Sequence, residues 1–213
     1  MELTFAEGRV LGCLVEKQLL TPQGYPLTDN ALVAACNQTT SRDPVVSYDV
    51  PTVRLAVRSL REAGLLRTRS GERSDKHEHR LRETLDLSPA EVALLAVLLL
   101  RGPQTSGELR ARAERMHAFA TTEDVERVLD GLADRTEPLV RRLERRPGRK
   151  EARYADALVP RDLAATPATT GAFADALPAS APGPDEVAEL RAEVAALRAE
   201  LAELRDALRD LTG

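Results

Sequence analysis

The sequence predicts a mainly α-helical protein with small β-hairpins, and three observations support this class. Apolar residues recur at the three- and four-residue spacing of amphipathic helices through most of the chain. With three Phe, three Tyr and no Trp in 213 residues, Leu, Val and Ala must build the cores between short helices. The same order, three helices followed by a hairpin, is predicted twice along the chain. Two similar small domains are therefore expected.

The first two helices are marked by their N-terminal caps. Thr4-Phe5-Ala6-Glu7 is a capping box, and the apolar stripe behind it continues until Thr21-Pro22. Thr28 can cap a second helix over residues 29–36. A polar loop then leads to the third helix.

The third helix is followed by a predicted hairpin. Pro51 suits the first turn of the helix, Gly64 suits a left-handed C-terminal position, and one face is apolar, with Val53, Ala56, Val57 and Leu60. Residues 65–69 and 77–81 can pair around a turn of small and polar residues. Three helices followed by such a hairpin are typical of a winged helix, which we predict over residues 1–86.

The second repeat carries the same signals. Its three helices begin at the cap residues Ser88, Thr105 and Thr121 or Thr122. Residues 139–143 and 151–155 flank Pro147-Gly148-Arg149, a strong hairpin turn. A second winged helix is therefore predicted over residues 87–157.

The last part of the chain differs in composition. Residues 158–184 are rich in Ala and Pro and predict a flexible, disordered linker. Residues 185–213 predict a parallel coiled coil, because each g-position Glu would face an e-position Arg of a parallel partner. Two Val at a positions favour a homodimer, although a trimer stays open. The dimerisation residues are Val187, Leu190, Val194, Leu197, Leu201, Leu204, Leu208 and Leu211.

Charge is distributed unevenly along the chain. The net charge is −4, and the coiled-coil segment alone has eight acidic and four basic residues. Residues 54–82 instead contain nine Lys or Arg and four acidic residues. In such a domain the third helix enters the DNA major groove, and the hairpin that follows it is called the wing. A basic third helix and a basic wing therefore predict DNA binding. The candidate contacts are Arg54, Arg58, Arg61, Arg67, Arg69, Arg73 and Lys76, and the alternative is an ordinary solvated face.

The corresponding helix of the second repeat is acidic. It contains five acidic residues and a single basic one, Arg127. The acidic residues are Glu123, Asp124, Glu126, Asp130 and Asp134. Phosphate should be repelled there, so a protein partner is favoured for this helix. The second wing is basic and could touch the DNA backbone without reading bases.

Two smaller groups of polar residues leave alternatives open. In the loop of residues 37–45, Asn37, Gln38, Ser41 and Arg42 could bind a partner or phosphate, or could cap and cross-brace the domain. His77 and His79 share one side of the predicted wing strand, where they could ligate a metal or simply lie on the wing surface.

Several classes of protein are excluded by what the sequence lacks. It contains no glycine-rich phosphate loop, nucleophile elbow or paired catalytic carboxylates, so we expect neither an enzyme nor a cofactor. The apolar run of residues 92–100 is too short to span a bilayer, and the N-terminus lacks a signal-peptide pattern. Cys13 and Cys36 suit buried apolar positions better than a disulfide framework. A cytoplasmic protein without membrane contact is therefore expected.

Three segments of the chain resemble a family of bacterial proteins. They are Leu32-Val33-Ala34-Ala35-Cys36-Asn37-Gln38 with Ser41-Arg42-Asp43-Pro44-Val45, Leu98-Leu99-Leu100-Arg101-Gly102-Pro103-Gln104-Thr105 with Gly107-Glu108-Leu109-Arg110, and Pro147-Gly148-Arg149-Lys150-Glu151-Ala152-Arg153-Tyr154. Over residues 1–158 the chain is similar to the YceH-like family of largely uncharacterised tandem winged-helix proteins. The resemblance implies the fold, whereas a shared fold does not imply a shared function.

Two functional hypotheses follow. The first is a DNA-binding or nucleoid-associated regulator that acts as a dimer through the first winged helix. The second is a protein–protein assembly module, whose winged helices bind proteins without direct DNA readout, as in chromosome-organising complexes.

Overall fold

The computed structural model describes residues 1–71, 74–144 and 151–160. These residues are mainly helical and carry small antiparallel sheets, in agreement with the predicted class. They belong to one compact unit, Met1–Leu163. Arg73, residues 161–184 of the predicted linker and the coiled-coil residues 185–213 lie outside the described residues, so the coiled coil stays a prediction. Leu158 and Val159, predicted as the start of the linker, are instead buried in the core. None of the helices described is both long enough and apolar enough to cross a bilayer.

The first part of the chain folds into three helices and a hairpin. These elements are α1, Phe5–Leu20; α2, Asp29–Cys36; α3, Val50–Glu62; β1, Leu66–Arg69; and β2, Lys76–His79. A short 3-10 helix, Pro22–Gly24, follows α1. The capping box at Thr4 forms as predicted, and Gly64 adopts φ +73° just after Ala63, the C-cap of α3.

The second part repeats this order with two additions, the helix α4 and the strand β3. The helices are α4, Leu81–Leu85; α5, Pro89–Arg101; α6, Ser106–Ala113; and α7, Thr122–Ala133. The strands β3, Gln104–Thr105; β4, Val140–Leu143; and β5, Arg153–Asp156 form an antiparallel sheet in the order β3-β5-β4. Ser88, Thr105 and Thr121 each complete a capping box, which fixes where α5, α6 and α7 begin.

Three details differ from the sequence prediction. The second wing strand, predicted to reach Leu81, ends at His79 because Leu81 is fully buried as the first residue of α4. The sequence predicts that the helix capped by Thr105 reaches about Met116, whereas α6 ends at Ala113. The sequence does not predict β3, since a strand of two residues is too short to show a periodic pattern.

Helix α1 packs against α5, so the two sets of helices share a continuous apolar core. Gly8 and Gly12 permit this close approach. A Cβ atom on Gly8 would lie 2.5 Å from Val159 Cγ2, and one on Gly12 would lie 2.9 Å from Leu100 Cγ. A side chain at either position would therefore force Val159 or Leu100 to shift within a closely packed core. The division into domains at residues 1–86 and 87–157 stays a prediction.

Candidate nucleic-acid interface

Helix α3 buries one face and presents the other to solvent. Val53, Ala56 and Leu60 are buried in the core, which orients the opposite side of the helix outward. The helix start is fixed by Asp49, whose Oδ1 accepts a 2.9 Å hydrogen bond from the Thr52 N–H. Four exposed residues of the outer side are called the α3 face below: Arg54, Leu55, Arg58 and Arg61.

Arg54 is held by a chain of polar contacts that reaches the wing. Its Nε donates to Asp29 Oδ2 at 2.6 Å, and Asp29 Oδ1 lies 2.8 Å from His77 Nε2. The other ring nitrogen of His77, Nδ1, lies 3.1 Å from the Thr68 hydroxyl. Partial burial opposes ionisation of Asp29, but the hydrogen bonds from Arg54 and His77 outweigh it and lower the pKa of this carboxyl. The position of Arg54 is thus coupled to strands β1 and β2.

Arg67 and Arg69 of the wing share one carboxylate. Both pair with Glu78, which faces Arg67 across the hairpin, and Arg69 Nη2 lies 3.0 Å from Glu78 Oε2. Burial would raise the pKa of Glu78, but hydrogen bonds from Arg67 and then Arg69 lower it instead. Two of the predicted DNA contacts are therefore partly neutralised within the chain.

Three other residues predicted to contact DNA have charges that no described side chain neutralises. The exposed side chains of Arg58, Arg61 and Lys76 make no hydrogen bond or ion pair with any residue that the structure describes. Arg73 lies outside the described residues. The structure therefore places Arg54, Arg58 and Arg61 on one helix and Arg67, Arg69 and Lys76 on the hairpin that follows it.

His77 and His79 are buried, so the interpretation of these residues as wing surface is wrong. Alternate residues of β2 face inward, and the two histidines are 3% and 7% exposed. His79 Nε2 lies 2.6 Å from Gln18 Oε1, and the His79 N–H donates to the Tyr25 hydroxyl at 2.7 Å. Within the described ranges, no group of three or more His, Cys, Asp or Glu side chains is arranged to hold a metal.

Acidification should destabilise the protein through His79. Burial lowers the folded-state pKa of His79 from 6.5 to about 4, despite the opposing charges of Glu83 and Glu78. The unfolded state therefore takes up the proton first, and stability that is complete above pH 6.5 is lost as the pH falls towards 4. The expected loss through this group approaches about 1.4 kcal/mol per pH unit.

Urea unfolding of the wild type and of His79→Gln over this pH range measures the effect. Carboxylates such as Asp29 also lose stabilisation in acid, but they do so equally in both proteins. The variant should therefore show the weaker pH dependence. Identical pH dependence of the two unfolding free energies would show that His79 is not the group responsible.

The polar loop before α3 is cross-braced by its own side chains. The Asn37 side chain both donates to and accepts from the Tyr48 backbone, at 2.8 Å each. Ser41 Oγ accepts from Arg101 at 2.7 Å, and Gln38 Oε1 accepts from Arg42 at 2.9 Å. These contacts agree with the bracing alternative, while a partner at Asn37, Gln38, Ser41 and Arg42 stays a prediction.

Buried charge around α1 is a feature that the sequence analysis missed. Arg42 lies in the core, where its Nη2 is 2.6 Å from Glu16 Oε2. Arg9 is also fully buried and donates to the carbonyls of Cys36 and Pro44 at 3.2 and 2.7 Å. Arg9 and Glu16 lie opposite the apolar stripe predicted for α1, so periodicity gives no signal of their burial, which follows because α1 is buried on all sides from Glu7 to Glu16.

The outer side of α7 carries acidic residues that are partly engaged. Asp124 accepts from Thr121 and pairs with Arg127 at 2.9 Å. Glu126 Oε1 accepts from the Ser106 hydroxyl at 2.7 Å. Glu123, Asp130 and Asp134 remain exposed, so this surface is opposite in charge to the α3 face.

Comparison with known proteins assigns the chain to a family. Residues 3–149 match the family described as "Protein of unknown function, DUF480". The chain belongs to this family. Similar members include UPF0502 proteins of Koribacter versatilis, 52% identical over 161 residues, and Geobacter sulfurreducens, 54% identical over 157 residues. The first match covers 75% of each chain, and the second covers 73% of this chain and 72% of the relative.

Membership of the DUF480 family confirms the resemblance to uncharacterised bacterial proteins that the sequence segments indicated. The matched residues 3–149 include the α3 face and the cross-braced loop, whereas the predicted coiled coil lies beyond them. Because the family description names no activity, functional inference depends on the geometry of this chain.

Proposed function

We propose that this DUF480 protein is a cytoplasmic DNA-binding or nucleoid-associated regulator, and not an enzyme. Two winged helices, residues 1–86 and 87–157, would be joined as a homodimer by the coiled coil of residues 185–213. The first winged helix would bind the DNA duplex. One observation supports this most strongly, namely the exposed Arg58 and Arg61 side chains, which have no partner within the described part of the chain.

The position of these arginines suits phosphate contact. They project from the third helix of a three-helix unit, the helix that enters the major groove in helix-turn-helix proteins. Lys76 adds an exposed charge on the adjoining hairpin. The net charge of the whole chain is negative, but residues 54–82 are basic, and the local field governs the approach of DNA.

A protein–protein assembly module is the second candidate. It is favoured by the carboxylates that already neutralise Arg54, Arg67 and Arg69, and by the exposed acids of α7. In this case the α7 surface would bind a basic protein, and the α3 face would contact protein or remain solvated.

Fluorescence anisotropy with the full chain and a labelled mixed-sequence duplex tests the proposal. Binding should be measurable at about 50 mM salt and weaken steeply as salt rises, because each phosphate contact contributes about 0.9 to the slope of log K against log salt. Absence of binding at this salt concentration would exclude DNA binding and leave the assembly module as the remaining candidate.

Replacing Glu78 with Gln should strengthen DNA binding. The change keeps the shape of the side chain but removes the charge that pairs with Arg67 and Arg69. If one or both arginines then reach phosphates, the salt slope should steepen by about 0.9 to 1.8. Glu114→Gln is the matched control, since it removes the same charge at an exposed residue that follows α6 and lies outside the hairpin. Equal affinities of the two variants would show that Arg67 and Arg69 do not contact DNA.

A further inference from the structure

The outermost line of α3 is apolar in its N-terminal half. Pro51 and Leu55 lie one helical turn apart on the exposed side, and Arg58 follows at the next turn. Leu55 is 65% exposed, more than Met1, Leu19 or Val45, the other exposed large apolar side chains that the structure describes. Leu55 therefore lies between Pro51 and Arg58 on the outermost line of α3, which ends at the exposed Glu62, and takes no part in the core.

The surroundings of Leu55 restrict the chemistry of its partner. Val53 and Val57, two residues before and after it, are buried on the other side of the helix, so Leu55 cannot turn inward. Arg54 and Arg58 lie beside it, and Asp29 holds the Arg54 side chain in place. A complementary surface has an apolar group opposite Leu55 and negative charge opposite Arg58 and Arg61.

The major groove of DNA offers this combination. Phosphates line both edges of the groove, and the 5-methyl group of thymine is an apolar group that projects from its floor. Residues near the N-terminus of a recognition helix are the ones that reach base edges. Leu55 lies in the N-terminal half of α3, whereas Arg61 lies in its last turn.

We propose that Leu55 is a specificity-determining residue that contacts the 5-methyl group of thymine. The inference rests on the proposed function, because it requires α3 to enter the major groove. The α3 face then combines apolar readout by Leu55 with phosphate contact by Arg58 and Arg61. Removing the buried methyl group should weaken binding about fourfold, the value of one apolar carbon.

A thymine-to-deoxyuridine exchange tests this contact, because the two bases differ only by the methyl group. The full-length protein first selects preferred sequences from a randomised duplex library. Each thymine of the selected duplex is then replaced singly by deoxyuridine, and affinities are measured for the wild type and for Leu55→Ala. Leu19→Ala, which truncates an exposed leucine of α1, is the matched control.

The wild type and Leu19→Ala should lose about fourfold in affinity at one or two thymines, and Leu55→Ala should lose nothing at the same positions. Equal sensitivity of Leu55→Ala and the wild type, or selected duplexes without any sensitive thymine, would overturn the inference while leaving DNA binding intact. Enrichment of no sequence despite measurable binding would overturn it as well. If no DNA binds, both the proposed function and the inference about Leu55 fail.

If Leu55→Ala changes only the subunit number, Leu55 is a protein contact and the inference is overturned.

Discussion

Replacing Arg42 with Met should lower the free energy of unfolding by about 3–5 kcal/mol, the typical effect of removing one partner of a buried ion pair. The Arg42 side chain has no exposed surface, and its partner Glu16 is 9% exposed. Arg42 also donates to the Ala35 carbonyl at 3.0 Å, so its loss leaves a second acceptor without a donor. Lys17, whose Nζ lies 3.6 Å from Glu16 Oε2, can compensate only in part.

Urea unfolding monitored by circular dichroism measures this effect. Arg82→Met is the matched control, since the exposed Arg82 side chain makes no ion pair with the residues described, and its effect should stay within about 0.5 kcal/mol. Adding Glu16→Gln to Arg42→Met should recover part of the loss, because the unpaired buried charge is then removed. An Arg42→Met protein as stable as the control would contradict the importance of this ion pair.

Reversing the charges of the α3 face should remove most of the DNA affinity. Changing Arg54, Arg58 and Arg61 to Glu should flatten the salt slope by up to about 2.7, or about 0.9 for each lost phosphate contact. This difference corresponds to roughly a thousandfold weaker binding at about 50 mM salt. Anisotropy titrations at several salt concentrations measure both quantities.

A variant that removes acidic charges from α7 serves as the comparison for the arginine variant of α3. Glu123→Gln, Glu126→Gln and Asp130→Asn together should leave affinity unchanged or raise it modestly, since only repulsion is removed. Thermal melts must show that both triple variants remain folded. Wild-type affinity of the arginine variant would mean that DNA, if it binds, uses another surface.

The helices were predictable because their signals are local. Thr4, Thr28, Ser88 and Thr105 open helices as the sequence indicated, since each cap lies beside the apolar stripe it precedes. The short strand β3 was not predicted, because its two residues form a strand only by pairing with β5, which lies far along the chain. Local patterns do not contain such long-range pairing.

The electrostatics of the candidate site were less predictable. Arg54 pairs with Asp29, which lies 25 residues away in another helix, so counting charges along α3 overstates its free charge. The pairing of Arg67 with Glu78 could have been found, because the hairpin register places them opposite each other. For His77 and His79, the strand period correctly gave one shared side, but only tertiary packing decides that this side faces the core.

Site-specific photocrosslinking tests most directly whether the α3 face contacts DNA. A benzophenone side chain is placed at Arg61 of α3 in one full-length protein and at Asp130 of α7 in another, both at exposed positions. With a mixed-sequence duplex at low salt, DNA adducts should form from position 61 and be nearly absent from position 130. Adducts from position 130 alone, or from neither position while anisotropy still reports binding, would contradict the assignment of DNA to the α3 face.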